Sequence, residues 1–524
     1  MLPPRTVWVA LVALVAAFLS RVIAVPAHDR VYAATRSAAG APLAPLVVGG
    51  DEPVEHHYMI VLKDGVSSVD FLAHRELINQ LALANVPEMH VEADFRHIFE
   101  DPALQGYAGR FSPDALTFIR AQPQVAYVEA DSVVRVAALP QGDEYVSEMP
   151  PTPAQAASMP WDSPFDHLTE VGAPWGLARI SHRASLSLGT FNKYVYERVG
   201  GEGVTAYIID TGINVDHEDF GGRARWGKTM PANDEDVDGH GHGTHVAGTI
   251  GSETYGVAKR AELVAVKVLG SSGQGSMSDV TAGVLWAVAD ARERTREMRE
   301  NPTSPAARRH RGFVANMSLG GMLSPTLERA VDGAVAAGLH FAVAAGNENQ
   351  DACDVSPANA RNPVTVAAST IADERAFFSN KGKCVDIFAP GLNIQSVWNT
   401  SPRSINTLSG TSMATPHIVG LMAYMLSIYG SSDFALLSDA ANGASPRWAS
   451  WLRMALAFVP APLRPLSLLP TAPAVGVSQP LSVDSVLRPR QLKNALARFA
   501  SHGLLADLEP ETVNLLAFNN ATRI

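Results

Sequence analysis

The sequence predicts an α/β protein in which a doubly wound, mostly parallel sheet is preceded by a small α+β domain. After Trp175, short apolar runs typical of buried strands alternate with runs of helical periodicity. Residues 57–137 hold a separate and shorter pattern of strands and helices. Polar clusters rich in glycine adjoin the later elements, and the functional groups of such sheets gather at the carboxyl ends of the strands.

Size and composition exclude several classes of protein. The chain has 524 residues, of which 47% are hydrophobic and 18% are charged, and at roughly 100–200 residues per domain it predicts several structural units. Lys and Arg number 41 against 52 Asp and Glu, a net charge of −11, so nucleic-acid binding is not expected. Two cysteines cannot form a disulfide scaffold or a four-cysteine zinc site; they allow one bridge or two free thiols.

The amino terminus has the features of a targeting segment. Residues 1–24 carry an early Arg5 and then an apolar run of about a dozen residues, shorter than the ~20 that span a bilayer. They predict a signal peptide removed near Ala24, with an uncleaved membrane anchor as the alternative. No other stretch is apolar enough to span, so the processed protein is expected in the secretory pathway, free of the membrane. Residues 25–56, rich in Ala, Pro and Gly, form a leader.

Residues 57–137 predict the small domain. Its elements follow the order β-α-β-β-α-β, that of a split βαβ or ferredoxin-like domain. They are a strand at 58–62, a helix from Ser67 or Ser68 to Leu81, strands at 95–99 and 107–111, a helix opened by Ser112-Pro113, and a strand at 125–129. The segment has no catalytic cluster of its own. Residues 138–172 then contain six prolines without periodicity, which predicts an exposed linker with a processing site.

The large sheet is predicted from short buried runs separated by helical patterns. The predicted strands are Val204–Ile209, Leu263–Val268, Val314–Met317, Phe341–Ala344 and Val364–Ala367, and the helices are Asp279–Val288 and Leu327–Ala337. Three polar clusters adjoin this framework: Asp210-Thr-Gly after the first strand, the histidine-rich segment 238–248, and Ser412 at the start of a helix. A helix N-terminus favours the negative charge of an oxyanion beside Ser412. A hydroxyl nucleophile needs a base, and the base needs an orienting carboxylate, which these clusters supply.

Two other interpretations use the same residues. Three histidines in a glycine loop, with Asp236 and Asp238 before them, could hold a catalytic zinc ion; they are His240, His242 and His245. A binding protein with a dead protease site is the second alternative, but acid, histidine and serine are all present. Sensitivity to a chelator or to a serine-directed reagent separates these possibilities.

The three clusters resemble the active-site signatures of subtilisin-like serine proteases. The signatures are Asp210-Thr-Gly, His242-Gly-Thr-His and Gly410-Thr-Ser-Met-Ala-Thr-Pro-His. Asn316–Gly321 and Ala344–Asn347 are similar to the proteinase K branch. Resemblance to fungal vacuolar proteases of the cerevisin type is carried by 173–182, 345–353 and 382–386. The similarity covers about residues 57–137 and 173–428, and more weakly 484–515.

The resemblance implies a serine endopeptidase acting through an acyl-enzyme. Ser412 would attack the scissile carbonyl, His242 would move the proton, and Asp210 would hold the imidazole. Asn347 would complete the oxyanion site with the backbone N–H of Ser412. Substrate would bind as an extended strand, with a broad preference for apolar residues, along Ser318, Leu319, Gly320, Gly273, Gly275, Ala344 and Gly346.

The resemblance also implies two structural features. Asp386 would ligate a structural calcium ion together with backbone carbonyls near Arg361 and Pro363, although no cofactor is required for the reaction. Cys353 and Cys384 would form a disulfide.

The same resemblance implies a zymogen. Residues 57–137 would be an inhibitory prodomain of a monomeric protease, and a cut near 165–172 would free a catalytic domain of residues 173–428. Residues 429–483 predict an irregular insert and 484–524 a C-terminal extension. Asn399 and Asn520 begin glycosylation sequons. The vacuole is the expected destination, with secretion as the alternative.

Overall fold

The computed structural model describes residues 42–49, 52–83, 91–139, 146–149, 156–157, 167–428 and 487–521. The predicted signal peptide and insert therefore lie outside the described residues, as does most of the leader. The chain forms two compact units. The first unit is Met1–Val133 with Ser276–Ala282 and Ser324–Ala330, and the second is Val134–Gly275, Gly283–Leu323 and Val331–Ile524.

The first unit confirms the predicted β-α-β-β-α-β order. Its elements are β1 (Leu46–Val47), β2 (Pro53–Leu62), α1 (Ser68–Leu83), β3 (Ala93–Asp101), β4 (Leu104–Phe111), α2 (Pro113–Arg120) and β5 (Val125–Val136), whose last three residues belong to the second unit. The sheet order is β5-β2-β4-β3, antiparallel throughout, with β1 added parallel to β5. Ser112 caps α2 by accepting from the Ala115 N–H, and Pro113 occupies the first turn, as the sequence predicts.

The second unit is built on a sheet of nine strands in the order β11-β12-β10-β14-β16-β18-β19-β23-β22. These strands are β10 (Val204–Asp210), β11 (Ala224–Thr229), β12 (Glu262–Lys267), β14 (Gly312–Met317), β16 (His340–Ala344), β18 (Val364–Ser369), β19 (Ile387–Pro390), β22 (Ser501–His502) and β23 (Leu515–Leu516). All neighbours are parallel except β22 and β23. The predicted doubly wound, mostly parallel sheet is confirmed.

Helices connect and cover these strands. They are α3 (Trp175–Ser181), α4 (His242–Gly251), α5 (Met277–Glu300), α6 (Pro305–Arg309), α7 (Pro325–Ala336), α8 (Thr411–Ile428) and α9 (Pro489–Phe499). α8 is buried from Thr411 to Leu426 because its sequence is apolar on every side. Pro416 is the sixth residue of α8 and has no N–H to offer the Ser412 carbonyl, which accepts from the Ser318 hydroxyl at 2.9 Å instead. Among the described residues, no helix is long and apolar enough to cross a membrane.

Short strands complete the unit outside the main sheet. They are β6 (Ser147–Glu148), β7 (Ala156–Ala157), β8 (His167–Val171), β9 (Lys193–Glu197), β13 (Gln274–Ser276), β15 (Leu319–Met322), β17 (Val355–Ser356), β20 (Ile394–Val397) and β21 (Ser404–Leu408). The linker strand β6 pairs with β21, so part of the predicted exposed linker is a sheet edge. The C-terminal segment supplies α9, β22 and β23, and β23 joins the main sheet beside β19.

Cys353 and Cys384 form the predicted disulfide, with Cα atoms 5.4 Å apart. The bridge closes a loop with a sequence separation of 31 residues, and the loop-entropy description gives such a bridge about 3–4 kcal/mol of stabilisation. It lies beside a small cluster of buried side chains that includes Val385 and Leu516. The disulfide thus fastens the surface loops next to the C-terminal strand.

A buried ion pair joins α3 to the loop that contains Asp373. Arg179 in α3 is fully buried, and its Nε lies 2.5 Å from Oδ1 of Asp373. Nη2 contacts Oδ2 of the same carboxylate at 3.2 Å, and the Ser185 hydroxyl donates to that oxygen at 2.6 Å. The guanidinium and the carboxylate are joined by two hydrogen bonds and are both buried. Removal of one partner therefore leaves an unpaired buried charge.

We expect Asp373→Ala to lower the free energy of unfolding by about 3–5 kcal/mol, because the Arg179 guanidinium stays buried without its carboxylate. Denaturant unfolding followed by fluorescence measures the loss. Glu293→Ala is the control, since it breaks an exposed pair with Arg296 and should leave stability almost unchanged. Equal losses in the two variants would contradict the prediction.

Candidate active site

The parallel sheet brings the three predicted catalytic residues to helix and strand ends in one region of the second unit. Asp210 is the last residue of β10, His242 opens α4, and Ser412 is the second residue of α8. α4 and α8 both pack on β10, and all three side chains are fully buried. The arrangement follows from pairing β10 with β12 and β14 in parallel, which places their carboxyl ends at one edge.

Asp210 and His242 are hydrogen-bonded. Nδ1 of His242 lies 2.7 Å from Oδ1 of Asp210, which also accepts the backbone N–H of Thr211 at 2.8 Å. Nε2 of His242 is buried and has no hydrogen-bond partner among the described residues. With Nδ1 protonated toward the carboxylate, Nε2 carries a lone pair that is available to accept a proton.

Ser412 is hydrogen-bonded to Ser318, the residue between β14 and β15. Its hydroxyl donates to the carbonyl of Ser318 at 2.8 Å, and the Ser318 hydroxyl donates to the Ser412 carbonyl at 2.9 Å. The Ser412 hydroxyl therefore has to leave this hydrogen bond before it can donate its proton to another acceptor.

One of the two predicted oxyanion donors bonds a backbone carbonyl. The N–H of Ser412 donates to the carbonyl oxygen of Ala137 at 3.1 Å. Oδ1 of Asn347 accepts from the N–H and hydroxyl of Thr411, each at 2.9 Å, which fixes the orientation of the Asn347 amide. A Cβ at Gly410 would lie 2.6 Å from the Ala137 oxygen and 3.3 Å from Nδ2 of Asn347, so glycine allows both groups to approach.

Residues 134–139 run through the predicted substrate channel, and the last three residues of β5 form the beginning of this segment. Val136 pairs with Leu319 and Arg135 with Gly320, both antiparallel. The N–H of Ala137 donates to the Ser318 carbonyl at 3.1 Å, and that of Val136 donates to the Gly273 carbonyl at 3.1 Å. Farther along, the N–H of Leu139 donates to the Ser409 carbonyl at 2.9 Å. This segment is thus held by backbone hydrogen bonds along the predicted channel, with the bond between Ala137 and Ala138 beside Ser412.

The remaining predicted channel residues lie on the same walls. Ala344 ends β16, whose Val343 pairs with Met317 directly before Ser318. Gly346 has φ +100°, and a Cβ there would lie 2.2 Å from Nδ2 of Asn380. Gly275 lies in β13, two residues after Gly273. A cavity of about 450 Å³ adjoins residues 135–139 and is lined by His240, Trp398 and Ser271 among others.

Asp238 organises the histidine loop, a role that the sequence did not reveal. Its Oδ1 accepts from the Thr211 hydroxyl at 2.8 Å and from the N–H groups of His240 and Gly241 at 3.1 and 2.8 Å. Its Oδ2 accepts from the N–H and hydroxyl of Thr244 at 2.9 and 2.6 Å. These contacts tie the strand end that holds Asp210 to the loop that opens α4. The signal in the sequence was an aspartate before a glycine-rich turn.

The three histidines of the zinc alternative do not converge. His242 faces Asp210, whereas Nε2 of His245 lies 2.9 Å from the Ile394 carbonyl. Burial lowers the pKa of His245 to about 3, so this imidazole is neutral. No group of three His, Cys, Asp or Glu able to hold a metal ion occurs among the described residues.

The oxygens predicted to bind calcium contact the ammonium group of Lys493. Oδ2 of Asp386 lies 2.7 Å from Nζ of Lys493, and the same ammonium donates to the Pro363 carbonyl at 2.6 Å. A metal ion cannot share these oxygens with the ammonium, so the calcium prediction does not fit the residues present.

The two predicted glycosylation sites differ in their surroundings. Nδ2 of Asn399 donates to the Asp238 carbonyl at 2.8 Å, so a glycan there would replace a hydrogen bond beside the histidine loop. Asn520 is exposed and has φ +60°. Exposure favours Asn520 as an acceptor.

Two carboxylates in the first unit cap helices, and the sequence analysis missed them. Glu129 accepts from the N–H and hydroxyl of Thr326 at 3.0 and 2.5 Å, and Asp131 accepts from the N–H and hydroxyl of Ser278 at 3.0 and 2.5 Å. Thr326 and Ser278 lie in the first turns of α7 and α5, where N–H groups lack intrahelical partners. Burial raises the pKa of both carboxyl groups.

Comparisons with known proteins identify relatives for most of the chain. A sequence profile of the Subtilase family matches residues 201–442, and one of peptidase inhibitor I9 matches residues 57–137. "Alkaline protease 2" of Aspergillus fumigatus is 44% identical over 89% of this chain and 81% of its own length. "Subtilisin-like serine protease Pen c 2" of Penicillium citrinum is 43% identical over 91% of this chain and 90% of its own length. A solved cold adapted subtilisin-like serine proteinase is 37% identical, with a TM-score of 0.50, over 67% of this chain and all of its own.

We expect Asp238→Asn to reduce kcat by about 10–100-fold with a smaller effect on KM. The amide lacks one acceptor oxygen, and hydrogen bonds to a charged group contribute about 1.5–3 kcal/mol, which corresponds to that range of rates. Steady-state kinetics on a peptide substrate measures the change, with Asp236→Asn as the control because Asp236 accepts from Thr229 on the exposed surface. A Tm loss without a fall in kcat would show that Asp238 only stabilises the fold.

Proposed function

The chain belongs to the subtilase family and is a serine endopeptidase made with an I9 inhibitory prodomain, and we propose that Asp210, His242 and Ser412 carry its reaction. The observation that supports this assignment is the Ala137 carbonyl, which accepts the Ser412 N–H while His242 is bonded to Asp210. A peptide carbonyl and the three reacting side chains thus occupy one site. Like other subtilisin-like proteases, the enzyme needs no catalytic cofactor.

In the proposed mechanism, His242 removes the proton of the Ser412 hydroxyl through Nε2 as Oγ attacks the substrate carbonyl carbon. The C–O bond forms, and the carbonyl oxygen becomes an oxyanion held by the Ser412 N–H and by Nδ2 of Asn347. His242 then returns the proton to the leaving amine as the C–N bond breaks, which leaves an acyl-enzyme. Water attacks this ester in the same way, and Asp210 stabilises the imidazolium in both halves.

The proposed substrate mode is an added strand. Gly273 and Ser318–Gly320 offer backbone groups that bond residues 135–137 in this structure, and these bonds do not depend on side chains. Ala344, Ala345 and Gly346 are themselves uncharged, with the Glu348 carboxylate beside Gly346, and the residue that precedes the bond beside Ser412 is alanine. These observations support broad cleavage of protein chains after apolar residues.

We further propose that self-cleavage occurs first between Ala137 and Ala138 and that a later cut near 165–172 frees the mature enzyme, which acts as a monomer. The I9 match ends at residue 137, and the chain on both sides of that bond is held in the cleft. After the first cut, residues 134–137 keep the contacts of a bound product, which supports inhibition by the prodomain. The proposed route is the secretory pathway, leading to the vacuole or, alternatively, to the outside of the cell.

Inhibitor classes separate the proposed triad from the metal alternative. We expect peptidase activity of the processed enzyme to persist in EDTA and to disappear with a sulfonyl fluoride and in Ser412→Ala, because the proposed nucleophile is a hydroxyl. Ser187→Ala is a matched serine control that should retain activity, since the Ser187 hydroxyl is bonded to Thr190 on the exposed surface. Activity that is lost in EDTA and resists the fluoride would refute the triad.

The proposed first cut predicts a defined new amino terminus. The precursor should yield a chain that starts at Ala138, and Ala137→Pro should block this product because proline removes the N–H that donates to the Ser318 carbonyl. Ala138→Ser keeps the backbone donors and should be cut normally. Mass spectrometry of the precursor during maturation measures the products. If Ala137→Pro still yields the same first product as the unchanged precursor, the first cut does not depend on this bond and the proposal is wrong.

A further inference from the structure

The residues that the family resemblance suggests for calcium lie at the amino-terminal ends of two parallel strands. Pro363 directly precedes β18 and Asp386 directly precedes β19, and the backbone N–H of Asp386 donates to the Thr365 carbonyl at 2.9 Å. The N–H of Thr365 donates to Oδ2 of Asp386, also at 2.9 Å. These two bonds fix the carboxylate beside the Pro363 carbonyl. Two oxygens, one of them charged, therefore converge at this edge of the sheet.

The group that bonds both oxygens is the ammonium of Lys493. Nζ lies 2.7 Å from Oδ2 of Asp386 and donates to the Pro363 carbonyl at 2.6 Å. Calcium takes six to eight oxygen ligands at about 2.3–2.6 Å. An ion bonded to these oxygens would overlap the nitrogen, and two cations at such a distance repel each other strongly.

The position of Lys493 is set by the helix that carries it. Lys493 lies in the second turn of α9, whose Leu492, Leu496 and Phe499 are buried in the main hydrophobic core. The side chains of Lys493 and Asp386 are 27% and 33% exposed, so the pair is partly screened by solvent. The buried face of α9 holds the backbone of Lys493 in place and thereby reduces the freedom that its side chain loses on binding.

We propose that Lys493 is the resident cation of this site and that the C-terminal extension replaces a structural metal ion. The replacement joins α9 to the ends of β18 and β19, which a diffusible ion would not do. This part of the fold then does not depend on the calcium concentration around the protein. It depends instead on retention of the segment that carries α9.

Thermal unfolding of the full chain tests the proposal, in a Ser412→Ala background that prevents self-digestion. We expect the Tm of this protein to be the same in EDTA and in millimolar calcium chloride. Adding Lys493→Met, which keeps an apolar chain of similar length without the charge, should lower the Tm in EDTA by about 2–4 °C, the shift typical of a small free-energy loss in a domain of this size. Calcium should then recover part of the loss, because Asp386 and the Pro363 carbonyl become available to the ion.

Arg490→Met is the matched control, since Arg490 lies on the same helix and is exposed. It should leave both the Tm and its response to calcium unchanged. A calcium-induced rise in the Lys493 parent as large as that in Lys493→Met would overturn the proposal, because the ion would then bind without removal of the ammonium. A loss in Lys493→Met no greater than that in Arg490→Met would overturn it as well.

Discussion

The parallel register of the main sheet is the constraint on which the rest of the structure depends. Because β10, β12 and β14 run in one direction, the residues that follow or end them meet at one edge, and Asp210 lies there. The same register brings the starts of β18 and β19 together at the other ends of their strands, where Pro363 and Asp386 bind Lys493. The proposed catalytic residues thus lie near the carboxyl ends of the strands. Lys493 of the C-terminal extension binds at the amino-terminal ends of β18 and β19.

Around the triad, polar groups are positioned by hydrogen bonds of the backbone and of small side chains. Asp238 alone accepts from five donors that belong to the Asp210 strand end and the histidine loop. Thr411 fixes the Asn347 amide in a similar way. Such contacts hold the donors and the base in place before substrate binds, so little reorganisation is needed as charge develops in the transition state.

The same backbone groups serve inhibition and proposed substrate binding. Gly273, Ser318 and Gly320 bond the strand that ends the prodomain, and side-chain-independent bonds of this kind would accept other peptides too. Beyond the cleft, the linker strand β6 pairs with β21, and Arg403 donates to the Met149 carbonyl. The precursor therefore keeps its own chain bonded on both sides of the bond beside Ser412.

The sequence by itself determined the α/β class and five strands of the main sheet, because periodicity and composition are local. Composition left the two cysteines either bridged or free, and the resemblance to subtilisin-like proteases implied the disulfide that the structure contains. The three signature motifs also identified the residues that the structure brings to one region. The calcium expected at Asp386 does not fit the residues present, and the sequence could not reveal this because carbonyl ligands leave no trace in a sequence and Lys493 lies on a distant helix. Only the tertiary structure decided that Asp238 supports the histidine loop, that Ala137 meets Ser412, and that Lys493 reaches Asp386. Each of these contacts joins segments far apart in the chain, and their proximity is set by packing of buried strands and helices, which local residue patterns do not encode.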